Sequence, residues 1–279
     1  MHPSETGPVF AGSIPSVYAQ YLVPLIFESY AADLASRVAG HQPARVLEIA
    51  AGTGVVTRQL AHALPPGTSI VASDLSQPML DQAALAGTER PVEWKQADAQ
   101  HLPFPDASFD VVVCQFGVMF FPEKARAFAE VRRVLRPHGE FVFNVWDRIE
   151  ENEFPQTIVQ AISTLLPEDL LPFITRIPYG YHDPVVIARD LAAGGFTETP
   201  AITFLTALSR AGSPDIPAVA FCQGTPMRDE LEERGPTTLA QATDLATAAI
   251  AARFGPGDVT GKLRALVVSV KRDAPAVHR

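Results

Sequence analysis

Cysteine is nearly missing from this 279-residue chain, which has Cys114 and Cys222 and no others. The two stand far apart and match no metal-ligand spacing, so no metal is expected and both read as reduced, buried thiols. Basic charge is also scarce. Lys and Arg total 22 against 31 Asp and Glu, a net charge of −9, and no basic block exceeds the Arg132-Arg133 pair. Without a basic stripe there is no electrostatic footprint for phosphate backbones, which excludes nucleic acid as the expected partner. Long apolar runs are missing too. Val111 to Pro122 runs about 12 residues and holds Gln115, short of the roughly 20 that span a bilayer. The opening MHPSETGPVFAGSIP has no basic segment leading into an apolar core, so no secretory leader is predicted and a cytoplasmic enzyme is expected. No internal repeat or low-complexity tract is found.

What is present is a core. A hydrophobic fraction of 47% with 19% charge belongs to a globular chain, long enough for a core domain with an appended substructure. The organising stretch is Val46 to Leu60, VLEIAAGTGVVTRQL. Arg45 to Ala50 alternates little, as a strand buried on both faces of a parallel sheet does, with Glu48 standing out inside it. The small-residue turn Ala50-Ala51-Gly52-Thr53-Gly54 lets backbone approach a ligand, and a helix opening on Gly54 points free N–H groups at it. Such a turn places a nucleotide-like ligand where strand hands over to helix.

Before this, Val17 to Ala39 has apolar residues at helical spacing, with Pro24 as a kink or break. Tyr18 and Tyr21 share one helical face, where they either cover a ligand or pack in the core. After it, Ser69 to Asp74 is a second strand ending in an acid about 20 positions beyond Gly54, the distance at which a carboxylate meets a ribose diol. Ser76 is a cap for the next helix, with Pro78 in its first turn. Val92 to Gln96 and Phe109 to Phe116 are further strands. Pro122 to Leu135 is a helix, and Arg136-Pro137-His138-Gly139 turns the chain into a strand over Glu140 to Trp146. Then come helices over Asn152 to Leu166 and Pro184 to Ala193, around a proline- and aromatic-bearing Pro167 to Tyr181. Phe196 to Ser209 is a strand, Ile216 to Arg234 two short helices, and Leu239 to Phe254 a helix opened by a Thr238/Gln241 capping box. Lys262 to Lys271 closes as a strand. Strand and helix alternating in this way mark a doubly wound α/β sheet with its ligand at the carboxyl ends of the strands.

Together VLEIAAGTG, the acid Asp74, ADAQHLPFPDASFDVV and VLRPHGEFVF resemble the class I S-adenosylmethionine-dependent methyltransferases, within them the small-molecule branch of ubiquinone and menaquinone biosynthesis methylases. The likeness is strong over Val17 to Trp146. It implies a Rossmann-like, mostly parallel seven-stranded sheet with a late antiparallel strand and a helical lid insertion. One domain over 1–279 is expected, with its core at about 40–147 and 196–271, a helical cover at 13–39 and the lid at 148–195.

The resemblance also implies the site. Gly52 and Gly54 approach the methionine part of S-adenosyl-L-methionine, and Glu48 either anchors the turn or reaches the cofactor amine through water. Asp74 binds both ribose hydroxyls, Leu75 and Met79 flank adenine, and Asp98 with the Ala99 amide meets its edge. Cys114, Gln115 and Phe116 line the floor under the sulfonium. Tyr18, Phe116 and Phe120 are the aromatic faces offered to the cation. Where the family has its first glycine this chain has Ala50, small enough to be tolerated.

Methyl transfer asks mainly for alignment and exclusion of water. Should a base be needed, Tyr181 and His182 in IPYGYHDP are the candidates, although His182 also reads as a polar residue leading a helix. The apolar, aromatic composition of Ile149 to Gly195 suits a small hydrophobic or aromatic acceptor. Two alternatives remain at this level: a protein that binds the same cofactor without methyl transfer, and an NAD-dependent dehydrogenase. The second is disfavoured because GxGxxG is not met, Thr57 standing at the third position.

Overall fold

A computed structural model describes residues 14–166, 173–235 and 237–273. The expected loose terminus before Ser13, and residues 167–172 of the proline- and aromatic-bearing stretch, lie outside them. Seven strands form one sheet: β1 Arg45–Ile49, β2 Ser69–Asp74, β3 Glu93–Gln96, β4 Phe109–Gln115, β5 Leu135–Trp146, β6 Ala201–Ala211 and β7 Val259–Lys271. Their spatial order is β3-β2-β1-β4-β5-β7-β6. β1 pairs in parallel with both β2 and β4, whereas β7 runs antiparallel between β5 and β6. Strand order therefore reverses between β1 and β4, which opens a crevice at their carboxyl ends.

Alternate residues of the central strands feed two core layers, one on each face of the sheet. Val46, Val111 and Val113 pack with Leu34, Val38 and Leu60 from the helices Glu28–Gly40 and Val55–Ala63. Leu47, Val112 and Phe141 pack on the opposite side with Phe128 and Ile187, from Lys124–Val134 and Pro184–Ala193. Gly194 lets these two helices touch: a Cβ there would lie 2.5 Å from the Phe128 Cβ. No described helix is long and apolar enough to cross a membrane.

Four local expectations change. Pro24 does not break its helix. The chain widens into π turns over Tyr18–Phe27 and absorbs the missing amide there. β5 begins at Leu135, with Arg136 to Gly139 carried as a bulge: Phe109 pairs with Leu135, and Val111 already with Glu140. His138, at φ +64°, supplies the reversal, and its amide bonds the Arg272 carbonyl at 2.9 Å. The Thr238/Gln241 capping box is absent, because Thr238 is already the first helical residue and the helix has no side-chain cap. Ser76 sits at the cap position of Gln77–Ala86 without a side-chain cap bond. The Asp183 carboxylate does cap Pro184–Ala193, accepting from the Val185 amide at 2.8 Å.

Asn152 fixes how the chain leaves the sheet. Fully buried, it donates to the carbonyls of Asp147, Arg148 and Arg264 at 3.3, 3.2 and 3.2 Å and accepts the Arg264 amide at 3.0 Å. One side chain thus joins the end of β5 to β7. Asn152→Ala takes the side-chain acceptor from the Arg264 amide and a donor from three carbonyls, of which those of Arg148 and Arg264 keep a backbone donor, and chemical unfolding should show a loss of about 2–4 kcal/mol. A loss near zero would mean that water replaces the clasp.

Candidate functional site

The turn after β1 is built on left-handed backbone, with φ of +53° at Ala50, +55° at Gly52 and +78° at Gly54. Ala50 occupies a conformation that L-residues seldom adopt, and its methyl sets a condition on the neighbouring loop. A Cβ on Gly117 would lie 2.4 Å from the Ala50 Cβ and 2.8 Å from the Cys114 Sγ. The tolerance predicted for Ala50 thus depends on a glycine across the crevice.

The two turn glycines serve different ends. Around Gly52 a Cβ would meet nothing within 4 Å, so its backbone faces open space. At Gly54 a Cβ would sit 3.1 Å from both the Ala83 Cβ and the Trp94 ring, so tight packing inside the protein adds to the left-handed backbone in favouring glycine there.

Asp74 holds the turn from the end of β2. One carboxylate oxygen accepts the Gly52 amide at 2.8 Å and the other the Ser76 amide at 2.8 Å. Burial raises its pKa, and these backbone N–H groups oppose the rise. Beneath the turn Glu48 is buried and accepts the Thr57 hydroxyl at 2.6 Å. Burial pushes its carboxyl up to about 8, against the Thr57 hydrogen bond, with the nearby Asp74 adding to the rise. Tyr18 lies within electrostatic reach of Asp74, and its phenol is held protonated by burial first and by that carboxylate second.

At the edge of this crevice Leu75 is 65% exposed while Met79 is buried. Asp98 accepts the Gln100 amide at 2.8 Å, which orders the loop carrying Ala99. At the end of β4 Gln115 donates to the Phe27 carbonyl at 3.3 Å, and its Oε1 is buried without a partner among the described residues. Cys114 is fully buried, with its thiol pushed up to about 12 by burial, so it stays protonated.

These residues suit an adenosyl cofactor. The space over Gly52, the buried unpartnered hydroxyl of Thr53 and the fixed carboxylate of Asp74 offer room, a hydrogen-bonding group and an acceptor pair at one strand-to-helix turn.

Beside it lies a cavity of about 60 Å³, walled by aromatic and aliphatic side chains. Its floor is Phe116, at φ +49°, whose amide is taken by the Asn144 side-chain oxygen at 2.9 Å. That ring stacks on Trp146 at 3.8 Å with planes 8° apart. Tyr18, Phe27, Met119, Phe120, Phe173 and Tyr179 complete much of the wall.

Of the expected site residues, Glu48, Ala50, Gly52 and Asp74 meet at the turn after β1, with Tyr18 within electrostatic reach of Asp74 and Gln115 at the end of β4. Leu75 and Met79 follow Asp74 in the chain, and the Ala97 amide bonds the Asp74 carbonyl at 2.9 Å, which brings the loop of Asp98 and Ala99 to the end of β2. Tyr181 and His182 are not brought to the cavity wall. The Tyr181 hydroxyl bonds Asp190 at 3.1 Å, and the His182 Nδ1 lies 2.8 Å from the Tyr179 carbonyl. Tyr21 packs on the core rather than lining the cavity. Sequence reasoning missed Trp146, Asn144 and the wall formed by Phe221, Thr225 and Pro226. Trp146 ends a central strand, a position that signals a floor; the Phe221 to Pro226 helices carry no such signal.

Residues 47–143 match the model of a methyltransferase domain. A demethylmenaquinone methyltransferase of Deinococcus radiodurans is 33% identical over 61% of this chain and 75% of its own length. A ubiquinone/menaquinone biosynthesis C-methyltransferase, UbiE, of Saccharophagus degradans is 35% identical over 48% of this chain, and the match spans 51% of that protein. Among solved structures, the YcgJ protein of Bacillus subtilis shares the fold at a TM-score of 0.57 and 17% identity, over 88% of this chain and all of its own.

Glu48 links the turn to pH. Its carboxyl is easier to keep neutral in the folded chain than in the unfolded one, so its stabilising contribution is complete in acid. That contribution is lost as pH rises from the ordinary carboxylate range towards 8, by at most about 1.4 kcal/mol per pH unit. Glu48→Gln should flatten this part of the stability profile in the absence of cofactor and leave the variant more stable than the native chain at pH 8. Denaturant unfolding across pH 5–9 tests it, and an unchanged slope would place the titration elsewhere.

Proposed function

The chain belongs to the S-adenosylmethionine-dependent methyltransferases, and on that premise we propose that it methylates a small, largely apolar, aromatic acceptor. What carries the reading is adjacency: Gly117, next to the cavity floor Phe116, packs against Ala50 of the turn, and Tyr18 of the cavity wall lies within electrostatic reach of Asp74, which holds that turn. The names of the relatives favour a quinol-type ring within that acceptor class.

The bound cofactor supplies an activated methyl group on a sulfonium, together with its own leaving group. The protein's part is to bind and align. Asp74, its oxygens already oriented by two amides, accepts the ribose hydroxyls, while Gly52 leaves space for the chain of the cofactor. Leu75 and Met79 flank the adenine, and Asp98 with the Ala99 amide meets its polar edge. Glu48 secures the turn through Thr57, the first of its two expected roles. Gln115 and Phe116 form the floor beneath the reacting centre, where the Phe116 and Tyr18 rings favour a cation that is dispersing its charge. The apolar wall excludes water and holds the acceptor for in-line attack. The cavity's 60 Å³ is less than one aromatic ring fills, so an acceptor enters by displacing side chains of the wall. Neither Tyr181 nor His182 is assigned a proton here, since both side chains are engaged away from the wall.

Two measurements test this. Calorimetry should show S-adenosylhomocysteine binding that weakens by roughly 2–4 kcal/mol in Asp74→Ala, the cost of losing charge-assisted bonds to two buried hydroxyls; unchanged affinity would mean the ribose is held elsewhere. Methyl transfer from labelled cofactor should appear with phenols or quinol precursors in a panel that also holds amines and fatty acids. Turnover confined to a protein or nucleic acid would overturn the small-molecule reading.

A further inference from the structure

Tyr179 is secured everywhere except at its hydroxyl. Its amide bonds the Ile174 carbonyl at 3.2 Å, its carbonyl lies 2.8 Å from the His182 ring nitrogen, and its ring stacks on Trp146 at 5.8 Å. The turn that carries it is tight, since a Cβ on Gly180 would fall 2.2 Å from the Arg176 carbonyl oxygen. Yet the side chain, 3% exposed and part of the cavity wall, buries a hydroxyl with no hydrogen-bond partner among the described residues. An orphaned phenol of this kind costs stability, and native proteins pair nearly all such groups.

The contrast with the neighbouring polar group is instructive. Thr225 also lines the cavity, but its hydroxyl donates to the Phe221 carbonyl at 2.7 Å and accepts the Met227 amide at 3.2 Å. Its hydrogen-bonding capacity is used inside the protein. Tyr179 keeps its own in an enclosure whose lining, Tyr18 and Thr225 apart, is apolar.

We propose that the Tyr179 hydroxyl is the polar anchor of the acceptor site, donating a hydrogen bond to an oxygen on the ring of the acceptor and so determining which ring is taken and how it lies. The inference rests on the small aromatic acceptor proposed above and adds a requirement to it: the ring bears an oxygen that accepts a hydrogen bond. A polar group built to meet a partner discriminates against the analogue that lacks one, because both ends are then left unpaired in an apolar site.

Phenol and toluene, equal in shape and differing in the one polar group, are the probes. Their dissociation constants are measured by NMR titration with S-adenosylhomocysteine bound, for the native chain and for Tyr179→Phe. The preference for phenol over toluene should fall roughly 3- to 10-fold in the variant, the value of one neutral hydrogen bond. S-adenosylhomocysteine affinity should be unchanged, and the thermal midpoint should stay level or rise, since an unpartnered group has been removed. An unchanged preference, or no binding of either probe to the native chain, would overturn the anchor. Methyl transfer from labelled cofactor reads the acceptor assignment separately: a chain that prefers phenol through Tyr179 yet methylates no aromatic compound would sink that assignment and leave the anchor standing.

Discussion

The two amide-to-carboxylate bonds at Asp74 are the constraint on which the site depends. Gly52 on the β1 turn and Ser76 at the entry to the next helix both donate to one side chain at the end of β2. That single carboxylate ties the β1 turn to the end of β2, next to the crevice that the reversal of strand order between β1 and β4 opens. The left-handed residues of the turn are affordable because their surroundings are fixed: Ala51 bonds the Ser73 carbonyl at 2.9 Å, and Arg58 bonds the Thr53 carbonyl at 2.8 Å. Glu48, buried and tied to Thr57, holds the same turn from below.

The apolar cavity follows from a second strained residue. Phe116 leaves β4 at positive φ, and its amide is caught by Asn144 on β5, the strand beside it. The turn presents its ring flat on Trp146, and the Tyr30 ring meets both edge-on, at 5.3 Å in each case. A stacked floor of this kind is rigid and apolar. The walls above it come from three separate parts of the chain: the π-helical Tyr18–Phe27, the Phe173–Tyr179 stretch and the Phe221–Pro226 stretch.

Strands buried on both faces were the most legible part of the sequence. β2 falls at Ser69–Asp74, as its apolar run ending in an acid predicts, and Pro184–Ala193 falls between its proline and its paired glycines. The late strand over Lys262 to Lys271 is antiparallel, as the resemblance implies, and begins three residues sooner, at Val259. Local chemistry misled where tertiary contacts outweighed it. Arg136-Pro137-His138-Gly139 has the composition of a turn, but pairing of His138 and Gly139 with Arg272 keeps it in the sheet as a bulge. Thr238 and Gln241 have capping-box spacing, but the helix starts too early to use it. The turn after β1 and its tie to Asp74 were readable because they are concentrated in adjacent motifs. The apolar cavity was not, because Phe221 and Pro226 look like ordinary packing residues and the folding of distant segments alone makes them a wall.

The central claim is that one crevice presents a cofactor, held by Asp74, to an aromatic cavity floored by Phe116. A crystal structure of the chain with S-adenosylhomocysteine tests it most directly. The account predicts the ribose hydroxyls on the Asp74 carboxylate, the cofactor chain passing over Gly52, and the sulfur at the mouth of the cavity above Phe116. A cofactor bound with its ribose away from Asp74, or with its sulfur facing solvent on the far side of the turn, would contradict it.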